Sequence, residues 1–318
     1  MSLFRPGARL NLDGRSLSGP EAALLRLRVE LTVSGAHDLA QIQLWTGSKF
    51  ADAAPGASLA IALGDTGSEE DVWAGELSGV RATPQGVVLE GVAATAALSR
   101  SYRSQSYLNQ SVADIVRDLA GPIPVDNVQC DVKLAAYHVD NRRSAWSHLQ
   151  NLAALVGADL GSAPGGGLRF VASAGANRPT RLRHGAELLH WDVARRAQPE
   201  AAAGAAHGSA SESGEKRWHW LSHDPVGAGA GPTRVPAALA TRDAAQAVAN
   251  ALQQRAARAA VSGELWVQGM AGLRPGDMVE LADVPGADPG RLRILGMTHT
   301  LDSRSGFLTR LRVEGAGS

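Results

Sequence analysis

The alternation of apolar and polar positions predicts a chain built mainly from short strands. Its clearest example is Leu25–Val33, where every second residue is apolar and most of the residues between are charged. This pattern is typical of a strand with one buried face. Further apolar runs follow at intervals of about ten residues, separated by Gly, Asp and Pro, a spacing typical of antiparallel all-β folds. Residues 20–95 are therefore predicted to form a small antiparallel barrel or sandwich.

The C-terminal segment Ser262–Gly317 carries the same signature. Four apolar runs stand there between turn signals: Glu264–Gln268, Met278–Leu281, Leu292–Thr300 and Phe307–Val313. The Arg-Pro-Gly-Asp sequence at 274–277 supplies turn residues between two of them, since Pro fixes φ and Gly tolerates a positive φ. A closed or nearly closed antiparallel barrel would bury such short strands without exposed edges.

Between these regions the apolar spacing changes to that of helices. Ser111 is predicted to cap a helix with Asp114 at the third position, and Gly121-Pro122 ends it. A second helix is predicted at about Ser144–Val156, with Gly157 as its C-terminal cap.

Three further segments complete the division of the chain. Ala158–Ala172 is predicted to form a hairpin, and residues 198–235 are rich in Ala, Gly and Ser and are predicted to be mobile or loosely strand-like. Thr241 is predicted to cap a third helix. The predicted class is a β-rich α+β fold with two small antiparallel β-barrel domains plus a helix-containing module. Its predicted parts are a first barrel (1–95), an α+β module (96–180), an irregular segment (181–240), and a helix plus second barrel (241–318).

Charge balance, cysteine content and the absence of long apolar runs exclude several functional classes. The 31 basic and 31 acidic residues cancel, so no global charge predicts binding to nucleic acid. A single cysteine, Cys130, excludes an intramolecular disulfide and a multi-cysteine zinc site. No N-terminal apolar stretch resembles a signal peptide, and no apolar run is long enough to span a membrane. We therefore expect synthesis and folding in a bacterial cytoplasm and no membrane partner.

Two histidine arrangements are candidates for chemical sites. His219 and His223 are four residues apart, as in a helical metal site, but their surroundings alternate like a strand, so no metal is predicted. His299 and Asp302 suggest a catalytic pair, yet the chain has no Gly-x-Ser-x-Gly motif to supply the serine. We predict no catalytic residue, no cofactor and no enzymatic activity.

The ordered motifs resemble one protein family. Arg100–Ala120, which contains the Gln-Ser-Val-x-Asp-Ile pattern, is similar to a helix of phage tail hub proteins of the late-control protein D type. That family includes the hub half of type VI secretion spike proteins. The resemblance covers about 85–172 and 240–315. Further matching positions are Ser144, Trp146, Leu149, Leu152, Ala153, Gly157, Ala256, Ala259, Gly263, Glu264, Leu265, Leu273, Pro275, Gly276, Asp277, Val279, Gly296, His299, Leu301, Gly306, Thr309 and Leu311.

The resemblance implies a structural role. In this family each subunit has two barrels side by side, and three subunits form a ring that approximates six-fold symmetry. One face of the ring meets the hexameric tail tube and the other holds a trimeric spike. The implied partners are two further copies of the chain, a tail tube protein, a separate spike protein, and baseplate wedge or tape-measure proteins. Leu25–Val33 and Phe307–Val313 are expected at corresponding places in the two barrels.

Interface residues are expected on the basis of the same resemblance. The turn Pro275-Gly276-Asp277 and the arm at 1–20 are expected to contact neighbouring proteins. The strand residues expected at interfaces are Leu25, Leu27, Phe307 and Leu311.

The sequence is also compatible with two alternative functions. A cell-wall hydrolase of the tail tip would depend on His299 and Asp302, and a carbohydrate-binding β-module would depend on Trp218 and Trp220. The sequence also leaves open whether the particle is a virion, a bacteriocin or a cell-to-cell injector.

Overall fold

The computed structural model describes residues 4–172, 178–197, 206–208, 224–226, 242–286 and 290–316. Its N-terminal part consists of strands, which we call the N-terminal strands. They are β1 (Pro6–Leu12), β2 (Arg15–Ser18), β3 (Leu24–Thr32), β4 (Leu39–Trp45), β5 (Ser58–Asp65), β6 (Ser68–Thr83) and β7 (Gly86–Ala93).

A helical module follows, opened by a short 3₁₀ helix at Ala94–Arg100. Its other elements are β8 (Gln105–Ser111), α1 (Val112–Ala120), β9 (Val125–Gln129), β10 (Lys133–Val139), α2 (Ala145–Val156), β11 (Ala158–Ser162) and β12 (Leu168–Ala172).

The remaining elements bring the chain back to sheet structure. They are β13 (Thr180–Arg183), β14 (Leu188–Arg195), β15 (Ala206–Gly208), β16 (Asp224–Val226), α3 (Arg242–Ala259), β17 (Val261–Gln268), β18 (Met278–Ala282), β19 (Arg291–Asp302) and β20 (Gly306–Gly315). We call β13, β14 and β17–β20 the C-terminal strands.

The N-terminal and C-terminal strands join in one sheet of thirteen strands in the part of the chain that the structure describes. Its order is β14-β17-β20-β19-β3-β4-β7-β6-β5-β1-β2, with β18 also on β19 and β13 on β18. The pairing is antiparallel except between β13 and β18. The β-rich α+β class is confirmed. Among the described residues this path closes into no barrel, and the division into 1–95, 96–180, 181–240 and 241–318 stays a prediction.

The apolar alternation at Leu25–Val33 corresponds to a strand with one buried face, as predicted. Leu27, Val29 and Leu31 are buried, whereas Arg26 and Arg28 are exposed on the opposite face of β3. Because successive side chains of a strand point to opposite faces, the apolar set lies in the core and the charged set lies on the surface. This strand pairs with β4 on one side and with β19 on the other.

Both predicted helix starts in the module are confirmed. The Ser111 hydroxyl accepts a hydrogen bond from the Asp114 N–H at 3.1 Å. Ser144 caps α2 in the same way through the Ser147 N–H, at 3.3 Å. Gly157 ends α2 with a φ of 68°, a conformation that glycine adopts without steric cost. The predicted 158–172 hairpin is present as β11 and β12.

Two apolar clusters form the interior. One lies beneath the large sheet and combines side chains of the N-terminal and C-terminal strands. The other fills the helical module around Trp146 and Phe170, and it also includes Val248 of α3. The third helix therefore packs on the module, although it lies between β14 and β17 of the C-terminal strands in sequence. Among the described residues, no helix is long and apolar enough to cross a lipid bilayer.

The contact between α2 and α3 predicts a difference between two glycine substitutions. Gly157 and Gly185 both have positive φ, 68° and 77°. A Cβ at 157 would lie 2.5 Å from the Cβ of Ala251 on α3, whereas a Cβ at 185 would meet nothing within 4 Å. We expect Gly185→Ala to cost about 1 kcal/mol of unfolding free energy. Gly157→Ala adds a steric clash and should cost about 2–4 kcal/mol. Urea unfolding measures both, and equal costs would contradict the α2–α3 contact.

A buried carboxyl predicts how stability depends on pH. Asp38 is 2% exposed and accepts a hydrogen bond from the Thr32 N–H at 2.8 Å. Burial raises the pKa of Asp38 to about 8, and the hydrogen bond from Thr32 only partly opposes the rise. A raised carboxyl pKa means that the folded state holds the proton more tightly than the unfolded state. The stabilisation is therefore complete below the unfolded pKa and is lost as the pH rises towards 8.

Asp38→Asn should remove this pH dependence, because an amide oxygen can still accept from Thr32 and carries no charge. We expect the loss of unfolding free energy between pH 5 and pH 8 to shrink by at least about 1.4 kcal/mol, the equivalent of one pKa unit. The exposed Asp52→Asn is the matched control. Parallel pH profiles for wild type and Asp38→Asn in urea titrations would contradict the assignment.

Candidate functional site

The two strand groups meet at a seam between β3 and β19. Strands β3 and β19 pair from Gly296 opposite Thr32 to Asp302 opposite Arg26. The Val33 N–H adds a hydrogen bond of 3.1 Å to the Leu295 carbonyl. The outer face of the sheet is thus continuous from the C-terminal to the N-terminal strands.

The register shows which side chains share that outer face. One cross-strand row carries aromatic, charged and apolar groups and ends on a leucine that is 47% exposed. In order across the sheet, the row consists of His190, Trp266, Arg310, Thr298, Glu30 and Leu39. Beside it lies a groove of 360 Å³ that crosses the seam. The indole of Trp266, 42% exposed, lies under the Arg310 guanidinium at 5.8 Å.

A buried ion cluster ties the helical module to the C-terminal strands. Arg293 of β19 is 3% exposed and donates to Glu314 of β20 at 2.7 Å and to Asp159 of β11. Burial disfavours the charge on Arg293, but the two carboxylates outweigh it and raise its pKa. Arg258 of α3 is also buried here, and burial together with the charge of Arg293 lowers the pKa of Arg258. Four elements therefore meet at one set of charges.

The predicted interface turn at 274–277 is a second joint. Gly276 has a φ of 96°, and its N–H donates to the Ile294 carbonyl at 2.7 Å. The Pro275 carbonyl accepts from Arg169 of β12 at 2.5 Å, and Arg274 donates to the Asp71 carbonyl of β6 at 2.9 Å. The turn thus connects the C-terminal strands to both other parts of the chain.

The turn that was predicted to contact neighbouring proteins is partly covered by this chain itself. Pro275 is buried, while Gly276 and Asp277 are half-buried beside a cavity of 210 Å³. The Asp277 carboxylate accepts from the Arg274 N–H at 2.8 Å, which stabilises the turn itself. Contact with another subunit through this turn stays a prediction.

A third joint holds α2 on the connection between β3 and β4. The Gly35 carbonyl accepts from the Trp146 indole at 3.0 Å and from Gln150 at 2.7 Å. The His37 ring stacks on Trp146 with centroids 4.2 Å apart, and burial lowers the pKa of His37. Backbone bonds between Leu160 and the segment Val33–Gly35 reinforce the contact.

The strand residues expected at interfaces lie mostly in the interior. Leu27 and Leu311 have no exposed surface and Phe307 is 3% exposed, so their side chains fill the core of the sheet. Leu25 is half-buried. Their part in an interface stays a prediction. Within this chain, Leu27, Phe307 and Leu311 stabilise the sheet by packing in its core.

The N-terminal arm at 1–20 contributes an edge to the sheet. Its described residues form β1 and β2, and β1 pairs with both β5 and β2. Strand β2 stands at the end of the strand order. Contact of this arm with a neighbouring protein stays a prediction.

The histidine considered for hydrolysis has a structural environment. His299 has no exposed surface, its Nδ1 lies 2.9 Å from the Thr309 hydroxyl, and its ring packs on Phe307. Burial lowers the pKa of His299 to about 3. Asp302 instead accepts hydrogen bonds from Arg304 and Ser305 in its own turn. The two residues therefore form no catalytic pair, and the geometry does not favour a hydrolase.

The structure does not describe the residues proposed for metal or carbohydrate binding. His219, His223, Trp218 and Trp220 lie outside the described residues. Within the described ranges, no group of three His, Cys, Asp or Glu side chains could hold a metal ion. The ion cluster has no local signal in the sequence, because Arg293 stands inside an apolar run and Asp159 is far away along the chain.

The ion cluster predicts a large effect of one substitution. Arg293→Met should destabilise the protein by about 3–5 kcal/mol, because two buried carboxylates lose the guanidinium that neutralises them. Arg291→Met, on the same strand but exposed, is the matched control and should change stability by no more than about 0.5 kcal/mol. Urea unfolding of both variants tests this, and similar midpoints would show that the cluster does not hold the module in place.

Comparisons with known proteins give matches in structure. No protein-family model matches the chain, and no curated protein matches it in sequence. A tail protein from Neisseria meningitidis superposes with a TM-score of 0.71 at 16% identity, covering 98% of this chain and 96% of that one. The 43 kDa tail protein of prophage MuSo2 from Shewanella oneidensis gives 0.70 at 14% identity, covering 97% and 98%.

A third structure comes from a secretion system. It is an Escherichia coli component of the type VI secretion system, described as similar in structure to the T4 bacteriophage tail proteins gp27 and gp5. The TM-score is 0.63 at 14% identity, covering 96% of this chain and 76% of that one. The protein therefore has the fold of phage tail proteins and of a type VI secretion component, the relationship that its sequence motifs predicted.

Proposed function

We propose that the protein is the structural baseplate hub of a contractile phage tail or of a phage-derived contractile injection system. In this role three copies form a ring of approximate six-fold symmetry that joins the hexameric tail tube to a trimeric spike. The role needs no catalytic step and no cofactor. The particle assembles in the bacterial cytoplasm, and the subunit becomes part of its baseplate.

The observation that carries the proposal is a fold shared along nearly the whole chain with tail proteins. The matches to the Neisseria and Shewanella proteins cover 96% or more of both chains. The Escherichia coli protein with the same fold belongs to a secretion system. A part that phage tails and secretion systems have in common is a natural candidate for the platform between tube and spike.

The geometry of the subunit supports this role. Pairing of β3 with β19 joins two strand groups in one sheet, and the joints at Arg293, Pro275 and Gly35 hold the helical module on that sheet. With two strand groups in each subunit, three subunits would offer six places to a hexameric tube. Rings arise when unlike surfaces of successive copies meet and the rotation closes.

The proposed partners follow from this placement. They are two further copies of the chain, the tail tube protein, a trimeric spike protein, and baseplate wedge or tape-measure proteins. In this role the turn Pro275-Gly276-Asp277, the arm at 1–20 and Leu25 would lie near subunit boundaries. Leu27, Phe307 and Leu311 would shape the boundary from within.

The mass of the assembly tests the proposal. We expect light scattering of the purified protein alone to give three times the monomer mass of 33.0 kDa. With the spike protein added, the mass should rise by that of one spike trimer. The trimer should then bind tube protein assembled into hexameric rings, and two-dimensional averages of the complex should show six-fold features. A spike protein from an unrelated particle is the control for nonspecific association. A stable monomer that binds neither tube nor spike would overturn the proposal.

A further inference from the structure

The outer face of the N-terminal strands carries a basic groove that the hub role does not explain. It has a volume of 240 Å³ and lies across β3, β4, β7 and β6, near the turn that joins β6 to β7. Arginine and glutamine side chains make up most of its lining. The lining residues are Arg26, Arg28, Gln41, Gln43, Arg81, Thr83, Gln85 and Val88.

The guanidinium groups of this groove are available to a ligand. Arg28 pairs with Glu30 at 2.6 Å and Arg81 with Glu90 at 4.0 Å, but these side chains are all 45% exposed or more. Exposed pairs of this kind contribute little stability, so a ligand carboxylate can replace one partner. Arg26 is exposed and forms no ion pair within 4 Å among the described residues. The lining itself includes three arginines and no carboxylate.

The amides complete a surface that suits a polypeptide. Gln43 donates from its side-chain amide to that of Gln85 at 3.4 Å, a long hydrogen bond that a better partner can displace. Side-chain amides offer both donors and acceptors, so Gln41, Gln43 and Gln85 can pair with the N–H and C=O groups of an extended chain.

The register fixes the spacing between the charges. Arg26, Gln43, Val88 and Arg81 stand in one cross-strand row, on β3, β4, β7 and β6 respectively. Neighbouring strands lie about 4.8 Å apart, so three steps separate the backbones of Arg26 and Arg81 by about 14 Å. An extended peptide rises about 3.4 Å per residue, so four residues span the same distance.

We propose that this groove binds an extended acidic segment of another polypeptide, with two carboxylates four residues apart that meet Arg26 and Arg81. The segment lies across the strands, and its backbone pairs with the glutamine amides between the two ion pairs. Arginine suits this role because its planar guanidinium binds a carboxylate through two parallel hydrogen bonds.

A nucleic acid fits the same groove less well. Glu30 and Glu90 stand beside the groove, and Asp302 lies opposite Arg26 on the neighbouring strand. These carboxylates would repel a continuous row of phosphates but leave room for two separate carboxylates. The whole chain also has no net charge to attract a polyanion.

The inference goes beyond the proposed hub role, because it concerns one face of the subunit whether or not a ring forms. Its test therefore uses peptide binding, whereas the hub role is tested by mass and by tube binding. A negative result in the peptide-binding test therefore does not contradict the hub role, and a negative result for the hub role does not contradict peptide binding.

Fluorescence anisotropy with synthetic probes provides the test. The first probe is a labelled seven-residue peptide of Gly, Ser, Thr and Glu with its two Glu residues four positions apart. The second has the same composition with the two Glu residues adjacent, and the third is a labelled twelve-residue oligothymidylate. Wild-type protein should bind the first probe at least five-fold more tightly than the second, and more tightly than the third.

Charge reversal then locates the binding site. Arg26→Glu/Arg81→Glu should weaken binding of the first probe at least ten-fold, because both ion pairs become repulsive. Arg255→Glu, at an exposed position of α3, is the matched control and should leave binding unchanged. Since all three arginines are exposed, circular dichroism should show folded variants. Arg26→Gln/Arg81→Gln, tested in the same way, replaces the charge-reversed variant if that one fails to fold.

Three results would overturn the proposal. One is no binding of the first peptide by wild-type protein at low salt. Another is tighter binding of the oligothymidylate than of the peptide, which would assign the groove to phosphate. The last is an equal loss of binding in Arg255→Glu, which would show that overall charge and not the groove is responsible.

Discussion

The structure depends on a buried guanidinium. Arg293 stands in the middle of the C-terminal strands, yet one of its carboxylate partners, Asp159, belongs to the helical module. Removing an arginine from water is costly, and the cost is recovered only when its partners are in place. The cluster therefore favours one arrangement of module and sheet over alternatives that would leave the charges unpaired. Apolar packing alone is less selective, since apolar surfaces attract one another in many orientations.

Two of the joints use the same kind of hydrogen bond. At Pro275 and Gly35 the acceptor is a backbone carbonyl in a turn, and the donor is a long side chain from another part of the chain. Turn carbonyls that no strand partner satisfies are thus used to attach one part of the molecule to another. These hydrogen bonds attach the helical module to the strands at specific points.

Local patterns were sufficient for the elements of the fold but not for their assembly. The caps at Ser111 and Ser144 and the alternation of Leu25–Val33 follow from residues a few positions apart, and the structure has each of them. The pairing of β3 with β19 has no such local signal, because any half-buried strand offers the same backbone groups to a neighbour. The Arg293 cluster has no local signal either, because Arg293 and Asp159 are far apart in sequence.

The candidate site shows the same limit. The turn Pro275-Gly276-Asp277 was predicted as a contact with neighbouring proteins, and the sequence contains no sign that Arg169 donates to the Pro275 carbonyl. Charged residues on the outer face of β3 were assigned correctly by alternation. Their arrangement with Gln43 and Arg81 in one row depends on strand order, which alternation does not specify.

The seam also has a consequence for how the protein is made. Strand β3 is complete at residue 32, but its partner β19 begins at residue 291. Translation proceeds at about 5–20 residues per second, so one edge of β3 waits on the order of tens of seconds for its partner. An unpaired edge is a site for unintended association with other chains. The exposed arginines Arg26 and Arg28 on this strand would oppose such association on the polysome, where many identical nascent chains lie close together.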